Sequence, residues 1–141
     1  MLDKKLRQRL VDAAVKAAAN SYSPYSRYKV GAALLCVGGE IFSSCNSEVA
    51  SYGLTDCGES SVIAQAVGRG MYQRHGRKFI RALAVVTADG GLPCGRCRQR
   101  IREHCDDCEI ISGNLKGEVL KVTSLKNLLP DSFGPDNLDV K

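Results

Sequence analysis

One run of residues limits the architecture more than any other. Phe79–Thr87 reads Phe-Ile-Arg-Ala-Leu-Ala-Val-Val-Thr, a nearly continuous apolar stretch of strand length, followed by the loop residues Asp89-Gly90-Gly91-Leu92-Pro93. A strand that is apolar on both sides belongs in a sheet covered on both faces, with helices as the covering layers. The flanking sequence supplies them. Asp3–Ala19 carries Leu6, Leu10, Ala14 and Ala17 at helical spacing, with Asp3 placed to cap its start. Cys57–Val67 and Cys94–Glu103 read as two more helices. Lys29–Cys36 and Glu40–Cys45 are strands around Gly38-Gly39, a good hairpin turn. Glu109–Ser112 and Glu118–Thr123 complete the strands. Asn46–Asp56 reads as a loop, and Arg69–Lys78 has no definite assignment. Ser124–Leu129 is a short helix ended by Pro130, and residues 130–141 form an extended tail. The pattern predicts an α/β fold with a mixed sheet of about five strands, in a single domain over 1–141. Right-handed crossovers would bring the starts of the Cys57 and Cys94 helices to one edge of that sheet.

At 141 residues the chain has room for one core. It holds no apolar run near the ~20 residues of a membrane span and opens on no signal peptide, so the expected setting is cytoplasmic, without a membrane partner. Its charge is uneven. Between Arg69 and Arg102 nine Lys and Arg face the single acid Asp89, leaving that segment at +8 and the remainder negative within a net charge of +5. A stretch of this kind can face nucleic acid. Aromatic side chains for base stacking do not interleave with the arginines, and the chain has no Trp. A solvated face or a subunit interface is the simpler reading.

Seven cysteines are the unusual count. In a reducing compartment, clustered cysteines bind metal or do chemistry more often than they pair. Pro93-Cys94-Gly95-Arg96-Cys97 places two sulfurs on one face at a helix start, where free backbone N–H groups favour thiolate. Two ligand sets compete. Cys94, Cys97, Cys105 and Cys108 would make a closed structural zinc site. Cys57, Cys94 and Cys97 would leave the fourth position open, as catalytic zinc requires. Three features favour the second. A helix occupies the span between Cys97 and Cys105, and Asp106, Asp107 and Glu109 would repel a thiolate cluster beside Cys105 and Cys108. Cys57 is also followed by Glu59, a carboxylate able to face the open position and move protons.

Cys57-Gly58-Glu59 with Pro93-Cys94-x-x-Cys97 matches the all-cysteine form of the zinc-deaminase signature. The likeness extends beyond the metal residues. Pro24-Tyr25-Ser26-Arg27-Tyr28-Lys29-Val30-Gly31-Ala32-Ala33, Cys45-Asn46-Ser47-Glu48, Ala50-Ser51-Tyr52-Gly53-Leu54-Thr55, Pro93–Gln99 and Leu128-Leu129-Pro130-Asp131-Ser132-Phe133-Gly134-Pro135 run in the same order. Over residues 24–135 the chain resembles the cytidine deaminase family of the small, homotetrameric, zinc-dependent type. The resemblance implies a three-layer α/β/α sandwich. It implies one Zn2+ per chain on Cys57, Cys94 and Cys97, with Glu59 as proton shuttle. It implies Asn46 and Glu48 on the ribose hydroxyls of a pyrimidine nucleoside, Tyr28 against the base where relatives have phenylalanine, and Gly58 offering its N–H. Tyr52 and Phe133 would reach across interfaces of a homotetramer with shared active sites. The implied reaction is hydrolytic deamination of cytidine and deoxycytidine to uridine and deoxyuridine plus ammonia, in pyrimidine salvage. A cytosine-containing antibiotic or modified nucleoside is the alternative substrate, and a structural zinc module on nucleic acid the alternative class.

Several positions depart from the family pattern. Ser60 stands where many relatives have an arginine near a ligand sulfur. Three thiolates and Zn2+ sum to a net negative charge, so Arg96, inside the Cys-x-x-Cys loop, is a candidate to compensate it. Asp56 is a candidate cap for the Cys57 helix. The two histidines, His75 and His104, read as surface residues, and Cys36, Cys45, Cys105 and Cys108 as small packing residues.

Overall fold

The computed structural model describes residues 1–141. Five strands form one sheet in the order β2-β1-β3-β4-β5. They are β1 (Gly31–Cys36), β2 (Ile41–Cys45), β3 (Ile80–Thr87), β4 (Glu109–Asn114) and β5 (Val119–Ser124). β1 runs antiparallel to both β2 and β3, β3 and β4 are parallel, and β5 returns antiparallel to β4. The sheet is therefore mixed, as expected.

Side chains along the central strands alternate between two cores, because successive Cβ atoms point to opposite faces. Leu83 and Val85 of β3 join Ala32 and Leu34 of β1 on one face. Ala82, Ala84 and Val86 join Ala33 and Leu35 on the other. The second face is covered by α1 (Lys4–Ala18), through Leu10, Val11, Ala14 and Ala18. Alanines on the sheet and on α1 let the two approach closely. At Gly31 the approach is closest, since a Cβ there would lie 1.9 Å from the Ala14 carbonyl oxygen. The expected cap is in place, with Asp3 Oδ1 accepting from the Leu6 N–H at 2.8 Å. Arg7 further fixes α1 through a two-pronged contact with Glu109 at 2.8 and 2.9 Å.

The first face is covered by α2 (Gly58–Gly68), α3 (Met71–His75), α4 (Gly95–Glu103) and α5 (Leu125–Leu128), through Val62, Ile63, Ala66, Met71, Ile101 and Leu125. Helices thus lie on both sides of the sheet, a three-layer α/β/α sandwich. Arg81, the one charge in the apolar run, sits where the register slips: Leu35 pairs with Ala82 but Cys36 with Ile80. Passed over by the ladder, Arg81 is exposed. No helix is long and apolar enough to cross a membrane.

Some expectations shift. The undefined stretch contains α3. The tail includes a 3-10 turn over Pro135–Leu138, so it is not extended throughout. The histidines are not surface residues. His75 is half-buried, with Nε2 2.8 Å from Glu40 Oε2, and this bond holds the Glu40 carboxyl down at about 2. His104 stacks on Phe79 with ring centres 4.5 Å apart and has Nδ1 3.1 Å from the Arg77 carbonyl. Burial lowers its pKa. Cys36, Cys105 and Cys108 are buried as expected, and Cys45 is half-buried. Burial raises the Cys36 thiol to about 11, in keeping with an inert packing residue.

Candidate metal centre and its pocket

Two helix starts converge beside the ends of β2 and β3. Cys57 is the N-cap of α2 and Cys94 the N-cap of α4, both in extended backbone, and Cys97 lies in the first turn of α4. Asp56 therefore does not cap α2; its backbone instead exchanges two 3.0 Å bonds with Ser47. The sulfurs of Cys57, Cys94 and Cys97 all lie within 4.8 Å of one another. Each sits at the positive end of a helix, which favours thiolates.

Three soft donors at this separation suit zinc, whose tetrahedral thiolate bonds of ~2.3 Å set sulfurs a little under 4 Å apart. The closeness of Cys97 lowers the Cys57 pKa, and the closeness of Cys57 raises that of Cys97. Metal binding would take up both sulfurs as thiolates and release their protons. Cys105 and Cys108 remain outside the cluster, in the core beneath α2 and α4.

A cavity of about 280 Å³ opens onto the cluster, small for a ligand site. Cys57, Cys94 and Glu59 form its floor, and Gly58, Tyr28, Asn46 and Glu48 are among its walls. Cys97 is buried behind them. Glu59 is only 5% exposed, and burial raises its pKa. Burial there favours the protonated carboxyl.

The wall residues are held before any ligand arrives. Asn46 Oδ1 accepts from the Val30 N–H at 3.0 Å and from the Ser21 hydroxyl, while Nδ2 donates to the Tyr28 carbonyl at 2.9 Å. Glu48 Oε1 accepts from the N–H groups of Tyr25 and Ser26 at 3.0 and 3.1 Å, and Oε2 from the Ser26 hydroxyl. These bonds lower the Glu48 pKa, with the Ser26 hydroxyl the largest cause. One Asn46 N–H and lone pairs on Glu48 remain for a ligand.

Two contacts escaped the sequence reading. The Tyr28 hydroxyl donates to Asp89 Oδ1 at 2.6 Å, and Thr87 Oγ1 lies 3.0 Å from the same oxygen. Tyr28 and Thr87 both line the pocket. The turn residues after an apolar strand were the only local signal of these contacts. Ser60 Oγ lies 3.5 Å from Cys97 Sγ. Arg96, by contrast, is exposed and reaches the Thr55 carbonyl at 3.4 Å. Tyr52 and Phe133 are 65% and 60% exposed and do not line the cavity of their own chain.

The chain is similar to known proteins in sequence and in fold. A sequence model described as "Cytidine and deoxycytidylate deaminase zinc-binding region" matches residues 4–112. A cytidine deaminase of Halalkalibacterium halodurans is 39% identical over 136 residues, covering 94% of this chain and 98% of its own. One of Mycobacterium tuberculosis is 40% identical over 127 residues, covering 89% and 87%. The crystal structure of a Burkholderia pseudomallei cytidine deaminase superposes with a TM-score of 0.81 at 38% identity, over 94% of this chain and all of that one. With its cysteine triad at two converging helix starts, the chain belongs to the zinc-binding cytidine and deoxycytidylate deaminase family.

Proposed function

We propose that this chain catalyses hydrolytic deamination of cytidine and deoxycytidine to uridine and deoxyuridine plus ammonia, in pyrimidine salvage. The observation that carries the reading is the placement of buried Glu59 in one small cavity with Cys57 and Cys94, facing Asn46 and Glu48. Relatives about 40% identical over most of the chain are named cytidine deaminases.

Cys57, Cys94 and Cys97 hold one zinc ion. When bound there, zinc supplies the Lewis acidity that makes water a nucleophile near neutral pH. Glu59 takes a proton from the attacking water and delivers it to ring N3. It takes the second proton and passes it to the exocyclic nitrogen, which leaves as ammonia. One water is consumed and no other reactant is needed. Asn46 donates to a ribose hydroxyl and Glu48 accepts from one, each held in place by the bonds to Ser21, Ser26 and the Val30 N–H. Tyr28 faces the base, and the Gly58 N–H at the start of α2 is free to donate to it.

Tyr52 and Phe133, exposed and outside the lining of their own cavity, serve the pockets of neighbouring subunits in a homotetramer. Arg96 contributes positive charge near the thiolates from outside the ligand shell. The thiolate triad needs reducing surroundings, which fits a cytoplasmic enzyme.

The test is direct. Purified protein is incubated with cytidine, deoxycytidine, cytosine and a cytosine-containing antibiotic, and loss of the amino chromophore is followed. Turnover of the two nucleosides is expected. Glu59→Gln should keep zinc and lose activity. A zinc-loaded wild-type protein inactive on all four compounds would overturn the proposal, and activity confined to the antibiotic would reassign the substrate.

A further inference from the structure

The C-terminal tail is fastened to α4 on both sides of Phe133, while the Phe133 ring itself is left in solvent. Arg102 of α4 is 9% exposed. Its Nε donates to Ser132 Oγ at 3.0 Å and its Nη2 to Asp136 Oδ2 at 3.1 Å. Nη1 is occupied elsewhere, 3.4 Å from the Cys105 carbonyl and 3.5 Å from Asp106 Oδ1. One turn earlier on the helix, Gln99 Nε2 donates to the Phe133 carbonyl at 2.9 Å. Gly134 and Pro135 are buried. A Cβ at Gly134 would sit 2.6 Å from Arg102 Cζ, so glycine lets the guanidinium lie flat against the chain.

Arg77 stands behind this contact. It is 7% exposed, and its Nη1 donates to the Glu103 carbonyl at 2.7 Å. Its Nη2 lies 3.9 Å from Asp136 Oδ1, while Nε and Nη2 have no hydrogen-bond partner. A second buried guanidinium with unsatisfied donors is costly. It adds attraction for the same Asp136 carboxylate. Ordering backbone also costs conformational entropy. Inside this chain, that ordering leaves Phe133 with nothing to cover.

We propose that Arg102 is a positioning residue for substrate binding. By gripping Ser132 and Asp136 it fixes the tail on α4, so that the Phe133 ring is held at a set place to close the nucleoside pocket of a neighbouring copy. The inference rests on the reading of Phe133 given above. It makes α4 a shared support, with Cys94 and Cys97 at one end and the tail anchors Gln99 and Arg102 further along.

Steady-state kinetics on cytidine and amide hydrogen exchange over residues 130–138 test it together. Arg102→Gln should raise KM about five- to tenfold, the worth of one ordinary hydrogen bond, with kcat changed less than about twofold. Exchange in the tail should accelerate. Asp136→Asn, on the exposed side of the contact, should act in the same direction and carries the test if Arg102→Gln does not fold. Arg102→Lys should rescue only part, because an ammonium cannot make both contacts in one plane. In a Phe133→Ala background the KM effect of Arg102→Gln should vanish.

Unchanged KM and exchange in Asp136→Asn and a folded Arg102→Gln would overturn the proposal. So would an Arg102→Gln effect that survives loss of the ring. A Phe133→Ala variant with wild-type KM would remove the premise that the ring closes a pocket, and the exchange data would still report separately whether Arg102 clamps the tail.

Discussion

The Ser60 hydroxyl lies 3.5 Å from the sulfur of Cys97, in a site where both residues are buried. A hydroxyl donor at a thiolate draws off part of its charge and fixes the sulfur's direction. Ser60→Ala should therefore weaken zinc retention about tenfold, measured by competition with a chromophoric chelator, without a change in fold. Arg96→Ala should have a smaller effect, because its guanidinium is in solvent on the Thr55 carbonyl. Equal retention in Ser60→Ala and wild type would show that the hydroxyl does nothing for the metal.

Tyr28, in the pocket lining, is tied to Asp89 of the loop after β3 across a 2.6 Å bond. Tyr28→Phe keeps the ring and removes the bond. The expected cost is about 1 kcal/mol, or roughly 3 °C in melting temperature for a domain of this size. KM for cytidine should rise modestly while kcat holds. A melting curve superposed on that of wild type would mean that water replaces the lost contact in full.

Two glycines near the sheet should respond in opposite ways to alanine. At Gly31 a Cβ meets the Ala14 carbonyl oxygen at 1.9 Å, and that backbone cannot step aside. Gly31→Ala should cost about 3 kcal/mol or more. At Gly58 the nearest atoms, Val30 Cγ1 and the Asn46 nitrogen, are 3.4 and 3.5 Å away, ordinary contact distances. Gly58→Ala should be tolerated and gain up to about 1 kcal/mol by restricting the unfolded chain. Chemical denaturation of the zinc-loaded proteins measures both.

His104 makes stability depend on acid. Burial lowers its pKa in the folded protein below the ordinary value of 6.5. The neutral ring is therefore favoured by folding. The contribution is complete above about pH 6.5 and is lost as pH falls through the lowered folded value. Melting temperatures taken from pH 7.5 down to 5 should decline in wild type, and less steeply in His104→Gln. Parallel declines would assign the acid sensitivity to other groups.

How much of this was legible in the sequence varies with the range of the interaction. α1 and its Asp3 cap, and β3 as the central strand, follow from local pattern. The meeting of Cys57 with Cys94 follows from spacing together with the handedness of crossovers. Helix α3 did not stand out, because one buried residue, Met71, sits in a polar basic stretch, and its His75 and Arg74 are held by Glu40 from the hairpin. The basic segment misled in a similar way. Arg77 and Arg102 look like surface charges until the tail brings Ser132 and Asp136 back to them. The Tyr28–Asp89 and Ser60–Cys97 contacts likewise join distant positions, and neither partner alone carries a signal.

The two faces of the sheet differ in what they can afford to change. The metal helices, the pocket floor and the tail anchors lie on the side of α2 and α4, whereas α1 sits alone against Ala33, Ala82 and Ala84. Substitutions in the α1 layer alter how firmly the molecule holds together, and they touch the pocket wall through Ser21, just beyond α1, whose hydroxyl bonds Asn46. Robustness and chemistry are thereby assigned largely to opposite sides of one partition, joined at Ser21.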